Sequence, residues 1–302
     1  MDIIFRPHFF GGKNNNFDET FVPLSLKSVL KYNPDSTIYF ISNEPNFIEK
    51  FFPINPPTNL KCFIFEDFED ENTKEFNKNY IHLSSNPYLF EKYAILGYIY
   101  IYNLICKFKI NEAIIVETDV FVFCDLNSKF KHNFFIEDYD TILADKNTIC
   151  CSYCKKIYFE TFVNASLKMY SDNKILQSLK DIYNKMKNGG ICDMTINDWI
   201  NNDKVYGGFF TNLNSENKKI IVKELSEILP DNSFFDKFLN DLIYEGLKFD
   251  FENTEAGIIK KIYNVNDEAF FKIGEEFIKC NSIHFQGNRK ILMPEIFEKY
   301  LK

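Results

Sequence analysis

No cluster of lysine and arginine breaks the acidic balance of this chain. The 35 basic residues stand against 43 acidic ones, for a formal net charge of -8. Without a basic face to offset that charge, a general nucleic-acid binder is not expected. No apolar run reaches membrane length either. The most apolar segment, Tyr93 to Ile105, is bounded by Glu91-Lys92 and Lys107; a bilayer needs about 20 residues, so this segment reads as a buried helix. Met1-Asp-Ile-Ile-Phe5-Arg-Pro-His8 has an acid near its start and no long apolar stretch, so no secretory signal is expected there. The eight cysteines follow no regular spacing, and reduced cytosolic thiols are the simplest expectation. Cys150-Cys151-x-x-Cys154 is the one cluster. A structural zinc would want a second pair, and only the isolated Cys192 and Cys280 follow. One tryptophan accompanies 34 phenylalanines and 17 tyrosines, a bias of codon usage as much as of function. Internal repeats and low-complexity linkers are missing too, so one domain over residues 1–302 is the simplest count.

What is present begins with a βαβ rhythm. Asp2 to Phe5 suits a first core strand, and a helix capped by Thr20 runs through Lys31, with Pro23 tolerated in its first turn. Thr37 to Ser42 and Lys61 to Phe65 read as the next strands, which indicates a parallel sheet. Glu66 to Glu75 reads as a solvated acidic loop. Asn86-Pro87 opens a long helix to about Phe108, apolar on nearly every face. Thr141 to Asp145 reads as a strand, and Val163 to Met169 and Lys174 to Lys187 as helices. Beyond Tyr206-Gly-Gly-Phe-Phe210 the sequence suggests two charged helical stretches, then Ala269 to Ile273 as an edge strand. The expected fold class is α/β, a mostly parallel central sheet flanked by helices with C-terminal helical elaborations.

The chemistry concentrates in three places. Ala113-Ile-Ile-Val-Glu117-Thr-Asp119-Val-Phe-Val-Phe123 is an apolar strand interrupted by two acids. Carboxylates cannot lie along a strand buried on both faces, but they can stand at its carboxyl end, where open α/β sheets place their ligands. Two hard oxygen ligands at i and i+2 can share a divalent cation with a phosphorylated substrate; taken alone, the pair reads more simply as a strand ending in an acidic turn in solvent. Gly189-Gly190-Ile-Cys-Asp193-Met-Thr195 opens the helix Ile196 to Ile200. Its glycines allow a close backbone approach to a ligand, or Asp193 or Thr195 simply caps the helix. Last, His284-Phe-Gln-Gly287-Asn-Arg-Lys290 joins an imidazole that can take a third metal position, a glycine that admits phosphate oxygens to main-chain N–H groups, and a lysine able to neutralise a diphosphate.

These residues resemble the GT-A glycosyltransferases, Rossmann-like enzymes with a D-x-D metal motif that use nucleotide sugars. Leu24 to Pro34 through Ser42, the segment from Phe90-Glu91 through Phe123, and the H-x-x-G-x-x-K ending, similar to that of the glycogenin-like family, carry the resemblance. Gly189 to Thr195 also looks like a G-G-x-x-D-M-T segment of uncharacterised bacterial members. The resemblance implies Mn²⁺ or Mg²⁺ on Glu117, Asp119 and His284, and a nucleotide sugar bound by Glu117, Asp119, Gly287 and Lys290. It implies a UDP-sugar donor, a glycan or lipid-linked glycan acceptor, and work in bacterial surface glycan synthesis in the cytoplasm, at the inner face of the membrane with peripheral contact to it. Residues 1–125 would form the nucleotide-binding half and 126–302 the acceptor-side half. Asp193 is the expected catalytic base, which implies inversion, whereas the H-x-x-G-x-x-K ending leans towards retention. Glu117 departs from the motif by one methylene, so Asp119 is the firmer ligand. The loop Arg6 to Asn16 lacks a uridine-binding pattern. A sugar-phosphate nucleotidyltransferase and a catalytically degenerate scaffold protein of a glycan-assembly complex are the rival readings.

Overall fold

The computed structural model describes residues 1–11, 18–144, 148–185, 189–201, 220–225, 228–244 and 246–302. In chain order the strands are β1 (Asp2–Phe5), β2 (Ile38–Ser42), β3 (Leu60–Ile64), β4 (Glu112–Val116), β5 (Val120–Val122), β6 (Thr141–Leu143), β7 (Cys151–Lys155), β8 (Val222–Glu224) and β9 (Ser233–Phe235). They continue as β10 (Ile243–Tyr244), β11 (Leu247–Lys248), β12 (Phe251–Thr254), β13 (Gly257–Lys260), β14 (Tyr263–Val265), β15 (Glu268–Ile273) and β16 (Glu276–His284). The helices are α1 (Asp18–Tyr32), α2 (Phe47–Phe51), α3 (Glu71–Asn79), α4 (Tyr88–Phe108), α5 (Leu126–Asn133), α6 (Lys156–Ser171), α7 (Asn173–Lys185), α8 (Asp193–Asn201) and α9 (Met293–Tyr300).

Seven strands form the central sheet in the order β3-β2-β1-β4-β7-β6-β8. β3, β2, β1 and β4 run parallel, β7 is antiparallel to both its neighbours, and β8 is parallel to β6. The mixed α/β class with a mostly parallel sheet therefore stands. β4 shows why its sequence is apolar without alternation. Ile114 and Val116 pack into one hydrophobic cluster, Ala113 and Ile115 into another on the opposite face, so both faces of the strand are covered. The second cluster takes most of α4, whose Ile95, Ile99, Leu104 and Ile105 are buried. That accounts for the helix being apolar nearly all round.

Several expectations change. Glu66 to Glu75 is not a plain loop: a 3-10 turn at Phe65–Phe68 precedes α3, which Asp70 caps by accepting from Thr73 N–H at 3.0 Å while Thr73 Oγ1 accepts from Asp70 N–H at 2.8 Å. Among the described residues, 220–250 holds short strands rather than the charged helices expected, because strand pairing, distant for β8 and β9 and local for β10 with β11, overrides charge patterning. The C-terminal elaboration is accordingly a second sheet, β14-β15-β16-β5 with β9 against β16, followed by α9. β15 is no edge strand, since β14 and β16 flank it. Cys151 and Cys154 stand in β7 and pack into opposite core clusters, a geometry that prevents both from holding one ion. The Asp145 strand end, the 206–210 segment, much of the Gly11 to Asn16 loop and the helix end at Lys187 lie outside the described residues.

The sequence's single long apolar run is thus two strands in two sheets. β4 ends at Val116, the chain turns at Glu117–Val120 with Val120 N–H donating to Glu117 O at 3.2 Å, and β5 pairs antiparallel with β16, Val120 opposite His284.

Candidate metal centre

The turn between the two sheets supplies both acids. Glu117 N–H donates to Cys150 O at 2.9 Å, and Phe285 N–H donates to Asp119 O at 2.9 Å, so the first acid is tied to the central sheet and the second to β16. Because Val120 faces His284 across the ladder, the imidazole arrives beside the acids from 165 residues downstream of Asp119. Its Nε2 lies 3.4 Å from Glu117 Oε2 and 3.4 Å from Asp119 Oδ1. One donor atom from each of Glu117, Asp119 and His284 lies within 4.8 Å of the others. Lys290 Nζ is 2.9 Å from Asp119 Oδ2, delivered by the 3-10 turn Gly287–Leu292. That turn begins at Gly287 with φ of 65°, a backbone region that favours glycine. The structure therefore brings together Glu117, Asp119, His284, Gly287 and Lys290.

The donor set fits a divalent ion. Cis ligands of an octahedral ion bound at about 2.1 Å stand about 3 Å apart, close to the imidazole–carboxylate spacings. His284 Nδ1 lies 2.6 Å from Lys237 O; with Nδ1–H donating to that carbonyl, Nε2 turns its lone pair to the acids, the arrangement usual for ligating histidines. In the structure these groups satisfy one another. Burial alone would raise the Asp119 carboxyl, but Lys290 and His284 outweigh it and hold it well below its usual range. Burial likewise works against the charged forms of His284 and Lys290, and Asp119 reverses the balance, raising both.

Asp193 lines the cleft, and of the two capping candidates read in the sequence Thr195 is the one that bonds the helix start. Asp193 is the first residue of α8, yet the capping is done by Thr195, whose Oγ1 accepts from Cys192 N–H at 3.2 Å. The Asp193 carboxylate instead pairs with Arg6, and the other arm of that guanidinium pairs with Glu117. Arg6 Nη2 also donates to Ala94 O at 3.0 Å, and the guanidinium carbon lies 5.3 Å from the centre of the Tyr98 ring. Arg6 follows β1, whose register with β4 sets Phe5 beside Val116, so the two side chains leave neighbouring strand ends. The close approach at the paired glycines is not to the cleft. A Cβ on Gly190 would fall 2.4 Å from Ser84 Cα, and the two residues form an isolated antiparallel bridge.

Two cleft residues were not singled out from the sequence. Arg6 is one; its signal is a cation at the carboxyl end of the first parallel strand. Glu91 is the other, a buried acid in a mostly apolar helix. Its Oε2 accepts from Ser84 Oγ at 2.7 Å and Asn86 Nδ2 at 2.8 Å. Burial is the main cause of its raised pKa, with Asp193 adding to the shift against those two hydrogen bonds. One of its oxygens forms a second cluster with Cys192 and Asp193. The acids and Arg6 all line one cleft of about 430 Å³. Among the described residues it carries five carboxylates, Asp18, Glu91, Glu117, Asp119 and Asp193, against the fixed cations Arg6 and Lys290. An anionic diphosphate enters such a cleft only with further positive charge.

The fold and this cluster define an α/β protein with a candidate divalent-metal centre at the carboxyl end of its sheet. No family model and no curated protein matches the chain. Among solved structures, it aligns with mouse xyloside xylosyltransferase 1 in its apo form at 11% identity over 74% of this chain and 84% of that one, with a TM-score of 0.46. The galactosyltransferase LgtC in complex with donor and acceptor sugar analogues aligns at 15% identity over 66% and 69%, with a TM-score of 0.37. The bifunctional glycosyltransferase WbbM aligns at 10% identity over the whole of this chain but 52% of its own, with a TM-score of 0.47.

Proposed function

We propose that this chain is a metal-dependent glycosyltransferase of the GT-A type, moving a sugar from a nucleoside-diphosphate sugar, by expectation a UDP-sugar, to a hydroxyl acceptor in bacterial surface glycan synthesis. The observation that carries the reading is the convergence of Glu117, Asp119 and His284 on one point, with Lys290 against Asp119, inside an otherwise acidic cleft. Mn²⁺ or Mg²⁺ would be held by those three residues, and the imidazole leans the choice towards Mn²⁺. The cation, when bound, supplies positive charge opposite the departing diphosphate.

The chain's own residues do the rest. Lys290 exchanges its contact with Asp119 for a diphosphate oxygen, and the open backbone at Gly287 admits that group. Arg6 fixes Glu117 and Asp193 at a set separation across the cleft. Asp193 orients the acceptor hydroxyl and takes its proton, a role that requires the Arg6 pair to loosen and free a carboxylate oxygen for the hydroxyl. Phe90 and Met194, each 43% exposed, line the same cleft. Their apolar surface supports a glycan or lipid-linked glycan acceptor and work at the inner, cytoplasmic face of the membrane. No helix among the described residues is long and apolar enough to cross it.

The test is a thermal-shift panel of nucleotide sugars with Mn²⁺, followed by turnover with Asp119→Asn. One donor should raise Tm only when metal is present, and the variant should fold yet lose turnover. Full activity in Asp119→Asn would overturn the metal-centre reading. Pyrophosphate release from a nucleoside triphosphate and a sugar phosphate would assign a nucleotidyltransferase instead.

A further inference from the structure

Behind His284 lies an ion pair that the cleft chemistry does not use. Lys260, the last residue of β13, is 2% exposed, and Asp236, which follows β9, is fully buried. Lys260 Nζ donates to Asp236 Oδ1 at 2.7 Å and to Phe238 O at 2.7 Å, and it lies 5.0 Å and 5.7 Å from the ring centres of Phe249 and Phe271. Two apolar side chains would fill this place at less cost, because burying both charges sacrifices hydration that their attraction rarely recovers in full. A pair kept in such surroundings asks for a role besides stability.

Its position supplies one. Asp236 Oδ2 accepts from the His284 backbone N–H at 3.2 Å. Asp236 N–H donates to Ser282 O at 3.1 Å, Leu239 N–H to His284 O at 3.1 Å, and Lys260 N–H to Leu239 O at 2.8 Å. Residues 236–239 are thereby strapped between β16 and the end of β13. The strap carries Lys237 O, the acceptor for His284 Nδ1–H at 2.6 Å, and the Phe238 ring, centred 5.5 Å from the imidazole. We propose that Asp236 and Lys260 are positioning residues: their buried pair holds the strap whose Lys237 carbonyl fixes the tautomer and ring angle of His284, and so sets Nε2 towards Glu117 and Asp119. The inference rests on the reading of His284 as a metal ligand. The rival account is a pair that merely stabilises the second sheet.

The test is the double variant Asp236→Leu/Lys260→Met, which removes both charges and leaves none buried alone. Mn²⁺ affinity is measured by calorimetry at a temperature well below Tm. The downfield Nδ1–H resonance of His284 is followed in the metal-free protein. The proposal expects a folded variant whose Mn²⁺ Kd is weaker by about 10–100-fold, the usual effect of removing a group that orients a ligand, and whose resonance is lost. A Kd within twofold of wild type, or a retained resonance, would overturn it, because a purely structural role lowers Tm and moves neither. Should wild type bind no Mn²⁺, the metal reading falls and the resonance alone decides the positioning claim. Should the double variant fail to fold, Asp236→Asn is read by the same two measurements.

Discussion

Replacing Arg6 with methionine tests whether the cleft is held together by charge. The side chain is mostly buried, and its two arms engage Glu117 and Asp193, which are themselves largely shielded from solvent. Removing one partner of a buried pair leaves an uncompensated charge and costs about 3–5 kcal/mol; here two carboxylates lose the same partner, so the upper half of that range is expected. Unfolding entropy of about 2.1 cal/mol/K per residue makes the loss worth roughly 6–8 °C in Tm for a chain of this length. Arg6→Lys should recover only part, because one ammonium cannot reproduce a fork that serves two acids. Calorimetric unfolding with and without Mn²⁺ adds a second readout. On the proposed reading Arg6 competes with metal for Glu117, so saturating Mn²⁺ should stabilise Arg6→Met by more than it stabilises wild type. A Tm within about 2 °C of wild type would mean that the pair is effectively solvated and clamps nothing. Equal stabilisation of both proteins by Mn²⁺ would remove Glu117 from the ligand set.

Three other outcomes follow from the same geometry. Lys290→Met should weaken binding of a nucleoside diphosphate with Mn²⁺ by about 10–100-fold, the loss of one charge-assisted contact, yet leave Mn²⁺ binding without nucleotide unchanged or tighter because Asp119 is released; calorimetry of both ligands checks the split. Gly190→Ala should cost about 1–3 kcal/mol or more in urea unfolding, since its Cβ would meet Ser84 backbone at 2.4 Å and that atom cannot swing aside; a neutral substitution would show the approach to be looser. Glu91→Gln keeps an oxygen for Ser84 and Asn86 and removes a charge that burial disfavours. A raised folded-state pKa means stability is fully present below the unfolded value of about 4.3 and declines as pH rises through the folded value. The variant should therefore lose that decline and melt higher than wild type at pH 7.5, and identical pH–Tm curves would contradict it.

How much of this was legible depended on whether the deciding contact is local. The strands β1, β2 and β4 and the helix α4 announce themselves by apolar runs whose period is set by their own burial. The candidate ligand set was readable because metal chemistry restricts residue type, so an E-x-D at a strand end and a histidine with a glycine and a lysine after it stand out against the chain. Arg6 did not stand out. Its partners are 111 and 187 residues away, and an arginine after a short strand looks like any surface cation until the sheet register sets Phe5 beside Val116. The α3 helix was hidden by its charges, since among its first six residues only Thr73 and Phe76 turn inward. The β8 to β13 region was hidden for the opposite reason, as strands of two to four residues carry too little period to be told from loop.

The break within the apolar run has a physical reason that joins fold to site. A strand continuing past Val116 would carry Glu117 and Asp119 on one face of the central sheet, inside the core, where neither could be ionised. Ending β4 at Val116 and letting β5 join β16 leaves the three-residue turn between two sheets, and each sheet holds one end of it through a main-chain hydrogen bond. The acids then stand at a seam lined by solvent-accessible cleft. The same pairing that removes β5 from the first sheet imports His284 to the second. Donors 165 residues apart in the chain, Asp119 and His284, are thus rigidly spaced by one antiparallel ladder and not by loops. A shift of one residue in the β5–β16 register would turn His284 to the other face and disperse the cluster, so the second sheet acts as the scaffold of the candidate metal site as well as an elaboration of the fold.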